Sequence, residues 1–135
     1  MGLLHETWWI YILRCSDDSL YTGITNNIVF RYWQHLHMNG GCKYTRSRQP
    51  VFLVQCWTVE TKSQALRMER LIKRLKHADK ELLVSEPGLI KQHMTKGGYD
   101  FSVLVDDHNT IKQLTHSNAR LTRQQAKTLN NQRKT

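Results

Sequence analysis

The side chains of this sequence whose types and spacing could do chemistry are two tyrosines, an arginine, a histidine and a glutamate: Tyr11, Tyr21, Arg31, His35 and Glu69. A phenol is a weak base at neutral pH, but a nearby cation favours its ionised form. A glutamate that is partly removed from water can hold a divalent cation, which offsets the cost of burying the charge. These residue types are therefore compatible with acid–base chemistry beside a bound cation.

Each of these residues also has a simpler structural explanation when it is considered by itself. Tyrosines in strands are usually packing residues. Arg31 and His35 are one helical turn apart and fall away from the apolar stripe of their helix, which favours an ordinary solvated face. Glu69 lies at the border of a predicted buried stripe, and it could pair with Lys73 one turn later. The pattern leaves both this ion pair and a metal-ligand role open for Glu69.

Short apolar segments predict the elements that must position these residues. Segments 8–15 and 20–24 are typical of two strands in a hairpin, separated by a polar turn at 16–19. Thr25 or Asn26 is predicted to cap a helix over about 28–39, which Gly40 and Gly41 end. A basic loop over 42–50 follows.

The second half of the pattern adds a strand and further helices. These are a third strand at 51–59, a helix capped by Thr61 or Ser63, a short helix at 78–84 closed by Pro87 and Gly88, and helical turns at 89–94. The order predicts an α/β (α+β) domain, in which a small three-stranded antiparallel sheet is flanked by helices. The apolar segment 101–105 is compatible with a fourth strand or with a segment packed on the core.

The motifs resemble those of the GIY-YIG nuclease family over about residues 7–85. Trp9-Ile10-Tyr11 corresponds to the GIY element, with Trp9 in place of its glycine, and Tyr21-Thr22-Gly23 corresponds to the YIG element. Arg31 and His35 match the family's Arg-x-x-x-His, and Glu69 matches its metal-binding glutamate. Residues 43–50 are similar to a loop of small stand-alone bacterial members. Five positions in the right order are more specific than any one motif.

This resemblance implies a divalent-metal-dependent endonuclease that hydrolyses DNA phosphodiester bonds. Glu69 would hold one Mg²⁺ or Mn²⁺ ion, and Arg31 would bind the scissile phosphate. Tyr11, Tyr21 and His35 would position and deprotonate the attacking water, and the choice of base among them stays open.

Nucleic-acid contacts are expected at Gly23 and in the basic loop, from Lys43, Arg46 and Arg48. A glycine after Tyr21 would let a phosphate or another backbone approach closely. A strand bulge at Gly23 would explain the same residue equally well.

The charge of the chain also favours a polyanionic partner. The net charge is +9, of which residues 108–135 carry +6, with six Lys or Arg and no acid. We therefore predict a domain at 1–95 and a basic C-terminal extension at 96–135, which could bind DNA or a protein partner. DNA is the expected nucleic acid, and RNA is not excluded by these patterns.

Three cysteines without a C-x-x-C pair indicate a reduced, cytoplasmic protein. The first residues lack the features of a signal peptide, and no apolar run reaches the roughly 18 residues of a membrane span. Two other classes of function stay open. One is a nucleic-acid-binding module of the same fold that does not cut. The other is a partner-binding domain whose basic extension is the working part.

Overall fold

The first strand of the chain is central in a four-stranded antiparallel sheet. The computed structural model describes residues 7–37, 43–49, 51–106 and 111. Strand β1 (Trp8–Arg14) pairs with β2 (Leu20–Thr25) on one side and with β3 (Phe52–Val59) on the other. Strand β4 (Leu104–Val105) pairs with β3, so that the order across the sheet is β2-β1-β3-β4. The edge strand β2 therefore lies beside β1.

Alternate residues of β1 face two different helices. Tyr11 and Leu13 belong to a buried cluster with helix α1 (Ile28–His37), whereas Ile10 and Ile12 belong to a second cluster with helix α3 (Lys62–Lys73). Successive side chains of a strand point to opposite faces of the sheet. Because both faces of β1 are covered, its sequence is a continuous apolar run rather than an alternating one.

The remaining helices are short. They are α2 (Lys43–Arg46), α4 (His77–Ser85), a 3₁₀ turn (Pro87–Leu89) and α5 (Ile90–Lys96). Thr61 caps α3, since its hydroxyl accepts a hydrogen bond from the Gln64 amide at 3.1 Å; this was one of the two predicted caps. Within the described ranges, no helix is both long and apolar enough to cross a membrane.

The structure corrects the predicted elements at three points. The sheet has four strands rather than three, because the segment left open at 101–105 contributes β4. The predicted loop at 42–50 contains the helical turn α2. Pro87 and Gly88 were expected to close a helix, but they begin a 3₁₀ turn instead. Each missed element has two to four residues, which is too short to show a periodic pattern.

Part of the predicted C-terminal extension contacts the core. Tyr99, Phe101 and Val103 pack with the cluster of α3, and Ile111 packs against the cluster of α1. The division of the chain at residue 95 stays a prediction. The rest of the basic segment 108–135 lies outside the described residues, as do Gly40 and Gly41, which were predicted to end α1.

Candidate active site

Gly23 lies directly opposite Tyr11 in the register between β1 and β2. A Cβ atom at residue 23 would lie 2.5 Å from Tyr11 Oη and 2.6 Å from Tyr11 Cζ, well inside van der Waals contact. The register between the two strands runs without a shift, so the alternative of a bulge at Gly23 is wrong for this strand pair. Only a residue without a side chain leaves room for the phenol of Tyr11. The phosphate contact expected at the buried Gly23 stays a prediction.

Asn27 sets the start of α1 and thereby the positions of Arg31 and His35. Its side-chain oxygen accepts a hydrogen bond from the Phe30 amide at 3.0 Å, as an N-cap residue does. The predicted caps, Thr25 and Asn26, were therefore wrong. Arg31 and His35 follow as neighbours one turn apart, and both side chains reach the tyrosines of the hairpin.

A buried chain of hydrogen bonds joins Tyr11, His35 and Thr45. Tyr11 Oη lies 2.9 Å from His35 Nε2, and Thr45 Oγ1 lies 2.8 Å from His35 Nδ1. All three residues are at most 1% exposed. The helical pattern favoured a solvated position for His35, and this prediction is therefore wrong. A helical wheel shows only the packing of one helix on one surface, and here α2, from later in the chain, covers a second side of α1.

The imidazole of His35 is neutral at physiological pH. Burial, and then the charge of Arg31, lower the pKa of His35 from 6.5 to about 3. A neutral imidazole carries a hydrogen on one nitrogen and accepts a hydrogen bond at the other. A neutral imidazole can hold the phenol of Tyr11 by a hydrogen bond, but a pKa this low makes it a weak base that does not readily take the proton of the phenol.

Tyr21 and Arg31 complete this group of side chains. The Tyr21 ring centroid lies 5.3 Å from that of His35 and 6.2 Å from that of Tyr11. Arg31 interacts with both tyrosine hydroxyls by charge and hydrogen bonding. Burial lowers the pKa of Arg31, but the two tyrosines raise it, and the net change is upward. Arg31 is therefore a permanent cation beside two phenols, where it favours negative charge on their oxygens or on a bound oxyanion.

Tyr44 joins the basic loop to this group. Its ring stacks on Tyr21, with centroids 5.9 Å apart and an interplanar angle of 28°. The guanidinium carbon of Arg48 lies 3.8 Å from the centroid of Tyr44, and Arg48 Nε pairs with Asp17 at 3.0 Å. A phosphate that binds Arg48 would compete with Asp17.

The other two basic residues expected to contact nucleic acid, Lys43 and Arg46, are exposed at the surface. Their exposure is compatible with a phosphate contact, and it is equally compatible with an ordinary solvated turn. Their role, like that of Arg48, stays a prediction.

Glu69 lies on α3, the helix that covers the opposite face of the sheet from Tyr11 and His35. Its side chain is 21% exposed, and its carboxylate lies 3.6 Å from Lys73 Nζ. This is the ion pair that the sequence left open as the simpler explanation. The structure thus groups four of the five predicted catalytic residues on one face, and it pairs the fifth with a lysine on the helix of the other face.

A metal ion at Glu69 would find few further protein ligands among the described residues. Across residues 7–37, 43–49, 51–106 and 111, no three His, Cys, Asp or Glu side chains are grouped to hold an ion. Mg²⁺ suits such a site, because it is commonly bound by one or two carboxylates, keeps several waters and takes phosphate oxygens as further ligands. A distance of 3.6 Å from Lys73 is too long for a strong hydrogen bond, so the carboxylate could exchange this partner for a cation.

Three residues of the segment 43–49 contact the group and were not identified from the sequence: Tyr44, Thr45 and Gln49. All three lie in the segment predicted to be a basic loop. Aromatic and polar residues next to Lys and Arg were the available signal, and that signal is common in ordinary surface loops. Their role depends on how the loop folds over α1, which no local pattern predicts.

A hairpin with Tyr11 opposite Gly23, followed by a helix that carries Arg31 and His35, defines the GIY-YIG catalytic domain. The model of that family matches residues 7–82, more than half of the chain, and the chain belongs to this family. The predicted resemblance and the mixed fold of an antiparallel sheet flanked by helices are thereby confirmed. The family is one of nucleases, which act on nucleic acid and generally use a divalent metal ion.

Similar proteins include a UPF0213 protein of Desulfotalea psychrophila, 46% identical over 83 residues, which are 60% of this chain and 76% of that protein. A UPF0213 protein of Cupriavidus necator is 42% identical over 81 residues, 60% of this chain and 87% of that protein. A UPF0213 protein from Bacillus halodurans, whose solution NMR structure is known, is 38% identical in sequence to this chain. The match covers 70% of this chain and 99% of that chain, with a TM-score of 0.41.

Proposed function

We propose that this protein is a divalent-metal-dependent endonuclease that hydrolyses phosphodiester bonds in DNA. The observation that supports it most is the buried chain Tyr11–His35–Thr45, with Arg31 beside the tyrosines. Burying polar groups costs stability unless each is satisfied, and apolar side chains could fill the same space without that risk. A polar network in the core that ends at a cation and a half-buried phenol, Tyr21, therefore favours a chemical role.

The side chains can be given roles from their positions. Arg31 would bind the scissile phosphate and stabilise the charge that builds up in the transition state. Tyr21 is half-buried, so it is better placed than the fully buried Tyr11 to meet an attacking water. Tyr11 and His35 pack against Tyr21 and would help to hold its hydroxyl in position for that water.

Glu69 is the residue that would hold Mg²⁺ or Mn²⁺, since its helix α3 also packs against the edge strand β2, which carries Tyr21. Such an ion, when bound, polarises a phosphate oxygen and stabilises the leaving oxygen. The neighbouring lysine of α3 would have to yield its 3.6 Å contact with the carboxylate.

That same contact favours the second candidate, a nucleic-acid-binding module that does not cut. If the pair between Glu69 and Lys73 is permanent, the domain keeps its phosphate-binding cation but lacks a metal site. The two candidates differ in one observable property, which is cleavage that depends on a divalent metal ion.

The test is cleavage of labelled DNA and RNA of several structures by the purified protein with Mg²⁺, Mn²⁺ or EDTA. We expect metal-dependent cutting of DNA, which Glu69→Gln abolishes while the variant remains folded. Glu60→Gln is the matched control, because Glu60 is exposed and lies outside α3. Cutting by Glu69→Gln at the wild-type rate would refute the metal-ligand assignment. DNA binding by the wild type without cutting on any substrate would favour the binding module.

The proposal extends to location and partners. A DNA substrate agrees with the cytoplasmic location expected from the cysteines and with the basic charge of the chain. Residues 108–135 would add phosphate contacts or bind a protein partner.

A further inference from the structure

Thr45 is a buried polar residue that none of the proposed catalytic steps uses. It is 0% exposed, and its hydroxyl lies 2.8 Å from His35 Nδ1, on the side of the imidazole away from Tyr11. The two ring nitrogens of His35 are thus each engaged by a different residue. Tyr11 comes from the sheet and Thr45 from α2, so that the ring is held between two separate elements.

Gln49 holds the backbones of His35 and Thr45 together independently of this contact. Its side-chain NH₂ donates to the carbonyl oxygen of His35 at 2.6 Å and to that of Thr45 at 3.0 Å. These two bonds tie the last turn of α1 to α2. Loss of the Thr45 hydroxyl should therefore leave the position of residue 45 beside the imidazole nearly unchanged, which makes the hydroxyl separable from the fold.

A neutral imidazole in a fully buried place has two remaining freedoms, its ring orientation and the nitrogen that carries the hydrogen. Rotation of the ring by half a turn would move Nε2 away from Tyr11. A hydroxyl fixed at Nδ1 opposes that rotation and helps to decide which nitrogen is protonated, because the hydrogen bond at one ring nitrogen sets the state of the other.

We propose that Thr45 is a positioning residue for the reaction, which fixes the orientation and tautomer of His35 through Nδ1 and so presents Nε2 to Tyr11. This inference rests on the proposed nuclease function for its effect on rate. The control of His35 by Thr45 is a separate property, which can be measured whether or not the protein cuts DNA.

The test uses two substitutions that separate the hydroxyl from the volume of the side chain. Thr45→Val keeps the branched shape and removes the hydroxyl, and Thr45→Ser keeps the hydroxyl and removes a methyl group. Single-turnover cleavage should fall about 10- to 100-fold in Thr45→Val, by analogy with loss of the outer partner of a metal-binding histidine. DNA affinity should be unchanged, and Thr45→Ser should stay within a few-fold of the wild-type rate.

The tautomer is read by two-bond ¹H–¹⁵N NMR correlations of ¹⁵N-histidine-labelled protein, with the His35 signals assigned by their loss in His35→Gln. We expect one tautomer in the wild type and in Thr45→Ser, and a changed or mixed pattern in Thr45→Val. A merely structural role for Thr45 would alter the melting temperature without changing this pattern.

The proposal requires both the slower rate and the altered tautomer in Thr45→Val. An unchanged rate, or a slower rate with the wild-type tautomer, would overturn it. If the wild type cuts no substrate, the proposed function fails, and the NMR comparison alone then decides whether Thr45 controls His35. In that case an unchanged pattern in Thr45→Val overturns the inference, and a changed pattern supports the control of His35.

Discussion

Replacing Gly23 by alanine would place a methyl group where the phenol of Tyr11 now lies. The new Cβ atom would be 2.5 Å from Tyr11 Oη, and ordinary contact begins at 3.4 Å, so the two atoms must move apart by about 0.9 Å in total. Tyr11 is 1% exposed, and its hydroxyl is bound to His35. The phenol therefore cannot give way into solvent, and the shift must be shared by the strand and the ring.

The expected cost follows from this shift. Overpacking of this kind costs about 1–3 kcal/mol, and alanine regains about 0.5–1 kcal/mol over glycine within a strand. A net loss of about 1 kcal/mol corresponds to a fall of roughly 4–8 °C in Tm for a domain of about 60–100 residues, the size of the domain predicted at 1–95. Displacing Tyr11 Oη by part of this distance should also disturb its 2.9 Å contact with His35, and a misplacement of about 1 Å can cost about 100-fold in rate.

Thermal unfolding and single-turnover cleavage of Gly23→Ala test this reasoning. Gly88→Ala is the matched control, because no atom beyond the adjoining chain lies within 4 Å of the Cβ position of Gly88; we expect its Tm and rate to remain at wild-type values. Wild-type stability and rate in Gly23→Ala would show that Tyr11 is not held over residue 23. A lower Tm with an unchanged rate would show that the position of Tyr11 does not matter for cutting.

Three further predictions concern the charge and hydroxyl groups of the site and the basic extension. Arg31→Ala should lower the single-turnover rate by about 100-fold or more and change DNA affinity less, as for a contact that strengthens in the transition state; weaker binding at an unchanged rate would make Arg31 a simple phosphate anchor. Tyr21→Phe and Tyr11→Phe should keep the fold, and at least one should abolish cutting; normal cutting by both would contradict the proposed chemistry. Deletion of residues 108–135 should reduce the slope of log K against log[salt] by roughly 0.7–0.9 for each lost phosphate contact, and identical slopes would exclude this segment from the DNA interface.

The sequence predicted the parts of the fold that repeat a pattern over many residues. The apolar run of β1, the stripe of α3 and the turn of the hairpin each have a strong local signal, and the structure contains all three. The two residues of β4 and the four of α2 have no comparable signal. Their formation depends on what the rest of the fold presents to them, and a single turn of helix has little stability by itself.

The candidate site was predicted residue by residue but not in its arrangement. Tyr11, Tyr21, Arg31 and His35 were identified from motif order, and the structure groups them. The full burial of His35 was missed because α2, a separate element about ten residues further along the chain, covers it. The sequence suggested that Gly23 makes room for a phosphate or another backbone, or forms a bulge. Only the strand register shows that Gly23 lies opposite Tyr11 and makes room for its phenol.

The burial of His35 also gives the folded state a pH dependence. Its pKa is about 3 in the folded protein, because of burial and then the charge of Arg31, against 6.5 for an ordinary histidine. Between these values the unfolded chain binds a proton that the folded protein does not bind. The free energy of unfolding should therefore fall as the pH drops through this window, with a slope of up to roughly 1.4 kcal/mol per pH unit. Above pH 6.5 this contribution is fully present.

Urea unfolding of the wild type and of His35→Gln between pH 5 and pH 7 isolates this contribution. Glutamine can still form hydrogen bonds but cannot take up a proton, so the variant retains the pH dependence of every other group. From pH 6.5 to pH 5 the wild type should lose roughly 1–2 kcal/mol more stability than the variant. Parallel pH dependences would mean that His35 takes up a proton as readily in the folded protein as in the unfolded chain. In that event the imidazole beside Tyr11 would be charged below pH 6.5, and the neutral His35 inferred from its burial would have to be abandoned.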